Sequence, residues 1–232
     1  MKLLWKCEPS RSLLIGSTYN SLNKIIDCND YIYVPSEATV VNNKAQISYV
    51  KIDKLNGSSY ATEKIEVFDL PPHKLYYDAK DYILGNKIIK SKAMGGRTIE
   101  CFENGTEIWK FKHWAYLYTD IIEKDGCIIF GTDGMGSRLY CLDIQTGKVL
   151  SETKTHFSAF YDYNGFNWHN GNLVVYGKGS LLILNPFTGE VIDEHKIPTK
   201  YLYRSFLQVI NNYAYCCVRT NNNQPTVLCF AI

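Results

Sequence analysis

Residues 131–151 read GTDGMGSRLYCLDIQTGKVLS. An apolar run, Arg138–Ile144, has the β-branched and aromatic character of a strand. It ends in a polar turn whose Gly147 can take a positive φ, and a second strand-like run starts at Lys148. The same pattern returns in ECFENGTEIWKF (100–111) and LILNPFTGEVID (182–193), so Gly105, Gly147 and Gly189 stand 42 residues apart. VKIDKLNGSSYA (50–61) is a weaker copy with Gly57 a further 48 residues upstream. Self-similarity at a period of about 40–50 residues predicts a repeat architecture.

A second feature keeps the same phase. Aromatic stretches follow each turn: LYYDAKD (75–81), WAYLYTD (114–120), FSAFYDYN (157–164) and YLYRSF (201–206), with STYNSLN (17–23) as the fifth. Aligned on these, Tyr19, Tyr77, Tyr118, Tyr161 and Tyr203 share one position, and Asn20, Asp78, Thr119, Asp162 and Arg204 the next. Each unit reads as four short strands, for example AYLYTDIIE, CIIFGTD, RLYCLDI and KVLSETK. The last unit supplies only three: YLYRSFLQVI, YAYCCVRT and TVLCFAI. Met1–Pro9 has no unit of its own and can provide the missing strand. Four whole units and one split unit predict an all-β fold. It is a single domain over 1–232, a five-bladed β-propeller of four-stranded antiparallel blades whose last blade is closed by the N-terminal strand.

The composition agrees. The chain has 232 residues, 46% hydrophobic and 21% charged, with 18 Tyr and a net charge of +2. It also has 18 Asn, and Tyr favours strands where Asn favours turns. A near-neutral balance without basic runs argues against nucleic acid as a partner. No apolar run approaches the roughly 18 residues of a membrane helix, and MKLLWKC is too short for a secretory core. These readings predict a cytoplasmic protein with no membrane association. The eight cysteines lack CxxC pairs, and Cys101, Cys141, Cys216 and Cys229 lie in apolar runs, so free buried thiols are expected.

The blades resemble the quinoprotein, or pyrroloquinoline quinone-type, propeller repeat, which carries Ala-x-Asp-x-x-Thr-Gly-x-x-x-Trp. Residues 141–151 match it with Asp143, Thr146 and Gly147, with Cys141 and Ser151 at the Ala and Trp positions. The copy at 182–193 keeps Thr188 and Gly189, with Asn185 for Asp and Asp193 for Trp; the copy at 100–109 keeps Gly105 and Trp109. The resemblance implies the propeller fold. It does not extend to the quinone: cofactor-binding members are larger eight-bladed rings, often with a vicinal disulfide, and Cys216–Cys217 sits in an apolar strand. No cofactor is expected.

In such a fold the loops entering the innermost strands and those between the middle strands share one face. The first set predicts partner contacts at His73, Tyr76, His113, Trp114, Tyr116, His156, Phe157, Tyr201 and Arg204. Large aromatics with an Arg are the residue types that anchor protein interfaces. The second set includes Glu37–Lys44. Asn20, Asp78, Asp120, Asp162 and Arg204 are expected as a polar ring at the channel mouth. Paired carboxylates could perform glycoside hydrolysis, but their repetition suits a structural ring better, because an acid and a base need different environments. Recurrence of His73, His113 and His156 raises a metal, which Lys200 at the fourth equivalent position disfavours. GTDGMG (131–136) precedes a strand rather than a helix and so fails as a dinucleotide loop.

The residues therefore predict a non-catalytic protein-binding propeller, monomeric when free. By analogy it is similar to bacterial immunity proteins that occlude a toxin. A lectin-like propeller is the alternative, with a five-bladed glycosidase behind it. Unequal loop tips, such as SEATVVNNK (36–44) against GKGS (177–180), suit one asymmetric partner better than five equal ligands.

Overall fold

Five tight turns organise the chain, and none depends on a fixed letter. Asn29, Gly85, Asp125, Asn170 and Asn211 all have positive φ, between 40° and 78° with their glycine neighbours Gly126 and Gly171. Each opens a two-residue hairpin of the kind whose twist matches that of the flanking strands, where Asn, Asp and Gly tolerate the left-handed region. The computed structural model describes residues 1–10, 13, 24–42, 44–69, 80–91, 97–113, 116–117, 119, 121–133, 138–154, 167–177, 180–197, 203–219, 222 and 224–232.

Strand β1 (Lys2–Cys7) is followed by a first sheet of β2 (Ile26–Cys28), β3 (Tyr31–Val41), β4 (Lys44–Asp53) and β5 (Ser59–Asp69), hydrogen-bonded in that order. The second sheet is β6 (Lys80–Leu84), β7 (Lys87–Ser91), β8 (Thr98–Glu103) and β9 (Thr106–Lys112). The third comprises β10 (Tyr116–Leu117), β11 (Ile122–Lys124), β12 (Cys127–Asp133), β13 (Arg138–Asp143) and β14 (Val149–Lys154). The fourth is β15 (Asn167–His169), β16 (Asn172–Gly177), β17 (Ser180–Leu184) and β18 (Val191–Lys196). In the fifth, β19 (Tyr203–Ile210), β20 (Tyr213–Arg219) and β21 (Pro225–Ala231) are completed by β1, which pairs antiparallel with β21 from Lys2–Ala231 to Cys7–Val227. These are the sheets of a five-bladed β-propeller, with the last blade closed by the N-terminal strand.

The third sheet departs from the expected four strands. AYLYTDIIE does not run as one strand: β10 and β11 both pair with β12. Between them the Gly131 N–H donates to the Thr119 hydroxyl at 2.8 Å, and the Thr119 N–H donates to the Gly131 carbonyl at 3.3 Å. A side chain thus takes a bond that the ladder would otherwise make.

The chain divides into two compact units, one of residues 1–71, 159–183 and 192–232 and one of 72–158 and 184–191. In the first, the fifth sheet is buried on both faces. Trp5, Cys7, Tyr215, Cys217, Val227 and Cys229 pack with Ile32, Val34, Val50 and Ile52 of the first sheet. Ala214, Cys216, Val218, Leu228 and Phe230, from the other face, pack with Val174, Leu181 and Ile183 of the fourth. The adjacent Cys216 and Cys217 therefore serve opposite cores, as strand alternation requires. In the second unit, Ile89, Ile99, Cys101 and Trp109 pack with Ile128, Phe130, Tyr140 and Leu142. All eight cysteines are free, and all but Cys28 are buried. Burial pushes the Cys141 and Cys229 thiols up to about 12, so neither is a thiolate near neutral pH.

The outer hairpins show what the repeated Trp and Gly accomplish. Asp143 Oδ1 accepts from the Gln145 and Thr146 N–H groups and from the Thr146 hydroxyl. Gly147, at φ 68°, lies flat beneath Trp109, whose indole N–H donates to the Ile144 carbonyl at 3.0 Å. A Cβ on Gly147 would stand 2.6 Å from the indole carbons. Trp5 covers Gly57 in the same way and donates to the Lys54 carbonyl at 2.7 Å. Ser151 stands at the Trp position of its copy and instead donates to the Pro186 carbonyl, while Thr153 Oγ1 donates to the Gly189 carbonyl at 3.2 Å. Gly105, although in phase, belongs to another turn: β8 and β9 are joined by two residues, Asn104 and Gly105, and a Cβ there would meet nothing within 4 Å.

Candidate functional site

The first sheet outgrows the others. β3, β4 and β5 have 11, 10 and 11 residues, where the middle and outer strands of the remaining sheets have five to seven. The additional length lies where a loop over Glu37–Lys44 was expected. Glu37–Val41 and Lys44 are strand instead: Glu37 pairs with Ser48, Thr39 with Gln46 and Val41 with Lys44, and Asn42 turns the chain at φ 51°. Three successive β-branched residues, Thr39, Val40 and Val41, favour the extended backbone, and Asn42 supplies the left-handed turn.

Alternation fixes what this extension presents. Gln46 also pairs with Val67, and Ser48 with Ile65, so Thr39, Val41, Gln46, Ile65 and Val67 share one face of three adjacent strands. All five are exposed, Ile65 by 59%, Val67 by 54% and Val41 by 50%. The opposite face carries Ala45, Ile47 and Tyr49, all buried, with Val40 beside the turn 47% exposed. Tyr49 Oη donates to Glu66 Oε2 at 3.1 Å, and burial together with that carboxylate holds the phenol well above its ordinary pKa. A register shift between Pro35 and Glu37 marks the start of the extension, where the Ser36 and Ser48 hydroxyls lie 3.0 Å apart. One side is thus anchored by packing and hydrogen bonds, while the other offers branched aliphatic side chains to solvent. The same pairing places the exposed Glu37 and Lys44 on this face, so the aliphatic side chains are set among polar and charged ones, a mixture that suits protein contact.

Lower on the same sheet, Lys51 Nζ stands 3.7 Å over the Tyr31 ring, and Tyr31 meets Tyr60 edge-on at 6.3 Å. Tyr60 is 48% exposed. Neither group was singled out by sequence. The signal was present as alternation in YIYV and KIDK, but those letters read equally well as a core strand.

Most of the residues expected at the site lie outside the described residues: Asn20, His73, Tyr76, Asp78, Trp114, Asp120, His156, Phe157, Asp162 and Tyr201. Tyr116 is placed in β10 and Arg204 in β19 by backbone, with side chains outside the description. His113 is the exception, and it is not on a rim. It is 3% exposed, stacked beside Phe111 at 6.4 Å and tilted against Phe130 at 5.9 Å. Phe111, Phe130 and Tyr140 make an aromatic cluster whose apolar faces accept the imidazole as a packing element. Among the described residues no group of three or more His, Cys, Asp or Glu side chains could hold a metal ion.

The charged groups of the second sheet are likewise structural. Asp81, Lys90, Glu100 and Lys110 form a cross-strand row of alternating sign. Lys110 Nζ lies 2.6 Å from Glu100 Oε1, and that bond raises the lysine pKa above its ordinary value. Lys87 reaches Glu103 at 3.0 Å. Opposite charges directly across a ladder stabilise pairing modestly and satisfy the buried Glu100.

No protein-family pattern matches this chain, and no characterised protein matches it in sequence. Its fold is similar to that of several solved structures. BamB from Moraxella catarrhalis is 15% identical with a TM-score of 0.40, over 89% of this chain and 58% of that one. The WD40 β-propeller domain of Doa1 is 19% identical with a TM-score of 0.46, over 89% and 62%. The computationally designed Ika8 protein is 11% identical with a TM-score of 0.44 over the whole of both chains. This chain thus spans less than two thirds of BamB and of the Doa1 domain, and its five-bladed assignment rests on its own strand order and packing.

Proposed function

We propose that this chain is a non-catalytic protein-binding propeller, cytoplasmic, acting without a cofactor. The observation that supports it is the exposed face of the first sheet's extension. Val41, Ile65 and Val67 stand half or more in solvent, on strands longer than the middle and outer strands of the other sheets. Such a face costs solubility unless something covers it. The finer reading is an immunity-type protein whose partner is a toxin, supported by repeats whose loop tips diverge, which suits one asymmetric partner.

The test is capture and identification of the partner, followed by calorimetric titration of the wild type and two variants. Val41→Lys/Ile65→Lys should weaken binding at least tenfold, about 1.4 kcal/mol or more, with the melting point unchanged. Trp114→Ala/Arg204→Ala probes the aromatic loops in the same experiment. Unchanged affinity in the first variant and loss in the second would move the interface to those loops. Failure of any protein to bind stoichiometrically would overturn the reading, and sugar-induced thermal shifts would then test the lectin alternative. A captured partner that arrests growth when expressed alone, and not when co-expressed with this chain, would establish the immunity role.

A further inference from the structure

We draw no further inference here: the strongest candidate, the outer edge of β5 beside the exposed Ile65 and Val67, belongs to the surface already described, and its register with β4 is broken opposite Tyr49, so that nothing in the structure shows what strand or partner would cover it.

Discussion

The fifth sheet and the first are built from the same four-strand plan and use it differently. Along β20 and β21 five consecutive residues are buried in each strand, Ala214–Val218 and Thr226–Phe230. β4, by contrast, alternates exposed and buried from Lys44 to Ile47 and only then passes into a buried stretch at Tyr49 and Val50. A strand covered on both faces reads as an unbroken apolar run, whereas one with a free face keeps the period of two. YAYCCVR and PTVLCFA are therefore interior words, and KAQIS is a surface word. The difference separates what holds the blades together from what is offered outward.

The largest effect should come from a charge placed on the doubly buried sheet. Val218 is fully buried within the core shared with the fourth sheet, so Val218→Lys should cost more than about 4 kcal/mol and leave no cooperative melt by circular dichroism. A clean transition near the wild-type temperature would mean that this face is open after all. Next in size is Trp109→Ala, which removes the cover of the 143–148 turn together with the indole bond to Ile144. About 3–5 kcal/mol is expected from thermal or urea unfolding.

The two in-phase glycines give a sharper contrast. Both Gly147 and Gly105 have positive φ, but only Gly147 lies under an indole. Gly105→Ala should cost about 1 kcal/mol from backbone conformation alone. Gly147→Ala adds a collision with Trp109 and should cost roughly 2 kcal/mol more. Equal losses would show that the stacking is not what fixes Gly147.

Asp143 supplies a smaller, pH-dependent increment. Its bonds from the Thr146 hydroxyl and N–H hold the carboxyl below the usual carboxylate range. A folded value below the unfolded one means stability that is fully present above about pH 4 and lost as pH falls through the folded value. Asp143→Ala should therefore lower stability modestly at neutral pH, by roughly 0.5–1 kcal/mol because water screens this exposed turn, with the gap to wild type narrowing in acid. A gap that persists unchanged at pH 2 would assign the loss to something other than the ionised carboxylate. The smallest change is expected at the exposed face: Ile65→Lys should alter stability by less than about 0.5 kcal/mol, in direct contrast with Val218→Lys. If it unfolds the chain, the face is covered and the proposed interface fails with it.

Much of the architecture was legible in the residues themselves. The phase of Gly57, Gly147 and Gly189, the strand count per unit and the spare N-terminal strand led to five sheets with β1 beside β21. The inner turns were not legible, although they are the more regular repeat, because Asn-Asp, Gly-Asn, Asp-Gly, Asn-Gly and Asn-Asn share a positive φ at their first residue rather than a letter. Gly105 misled for the converse reason: it keeps the letter and the phase but sits in a shorter turn. His113 could be assigned to a rim only by its place in the repeat. Its burial depends on Phe111 and on Phe130, a residue from the next sheet.

By itself, then, the sequence determined local events: the outer turns at Gly57, Gly147 and Gly189, and which strands are apolar on both faces. These follow from φ preferences and from an alternation that each residue carries with it. Tertiary structure decided which turn lies under which indole, that Ser151 and Thr153 replace a tryptophan by bonding to Pro186 and Gly189, and that Glu37–Val41 continues as sheet. It also decided which apolar residues remain uncovered. Exposure belongs to a residue's neighbours, and those neighbours are brought from distant parts of the chain only when the sheets pack.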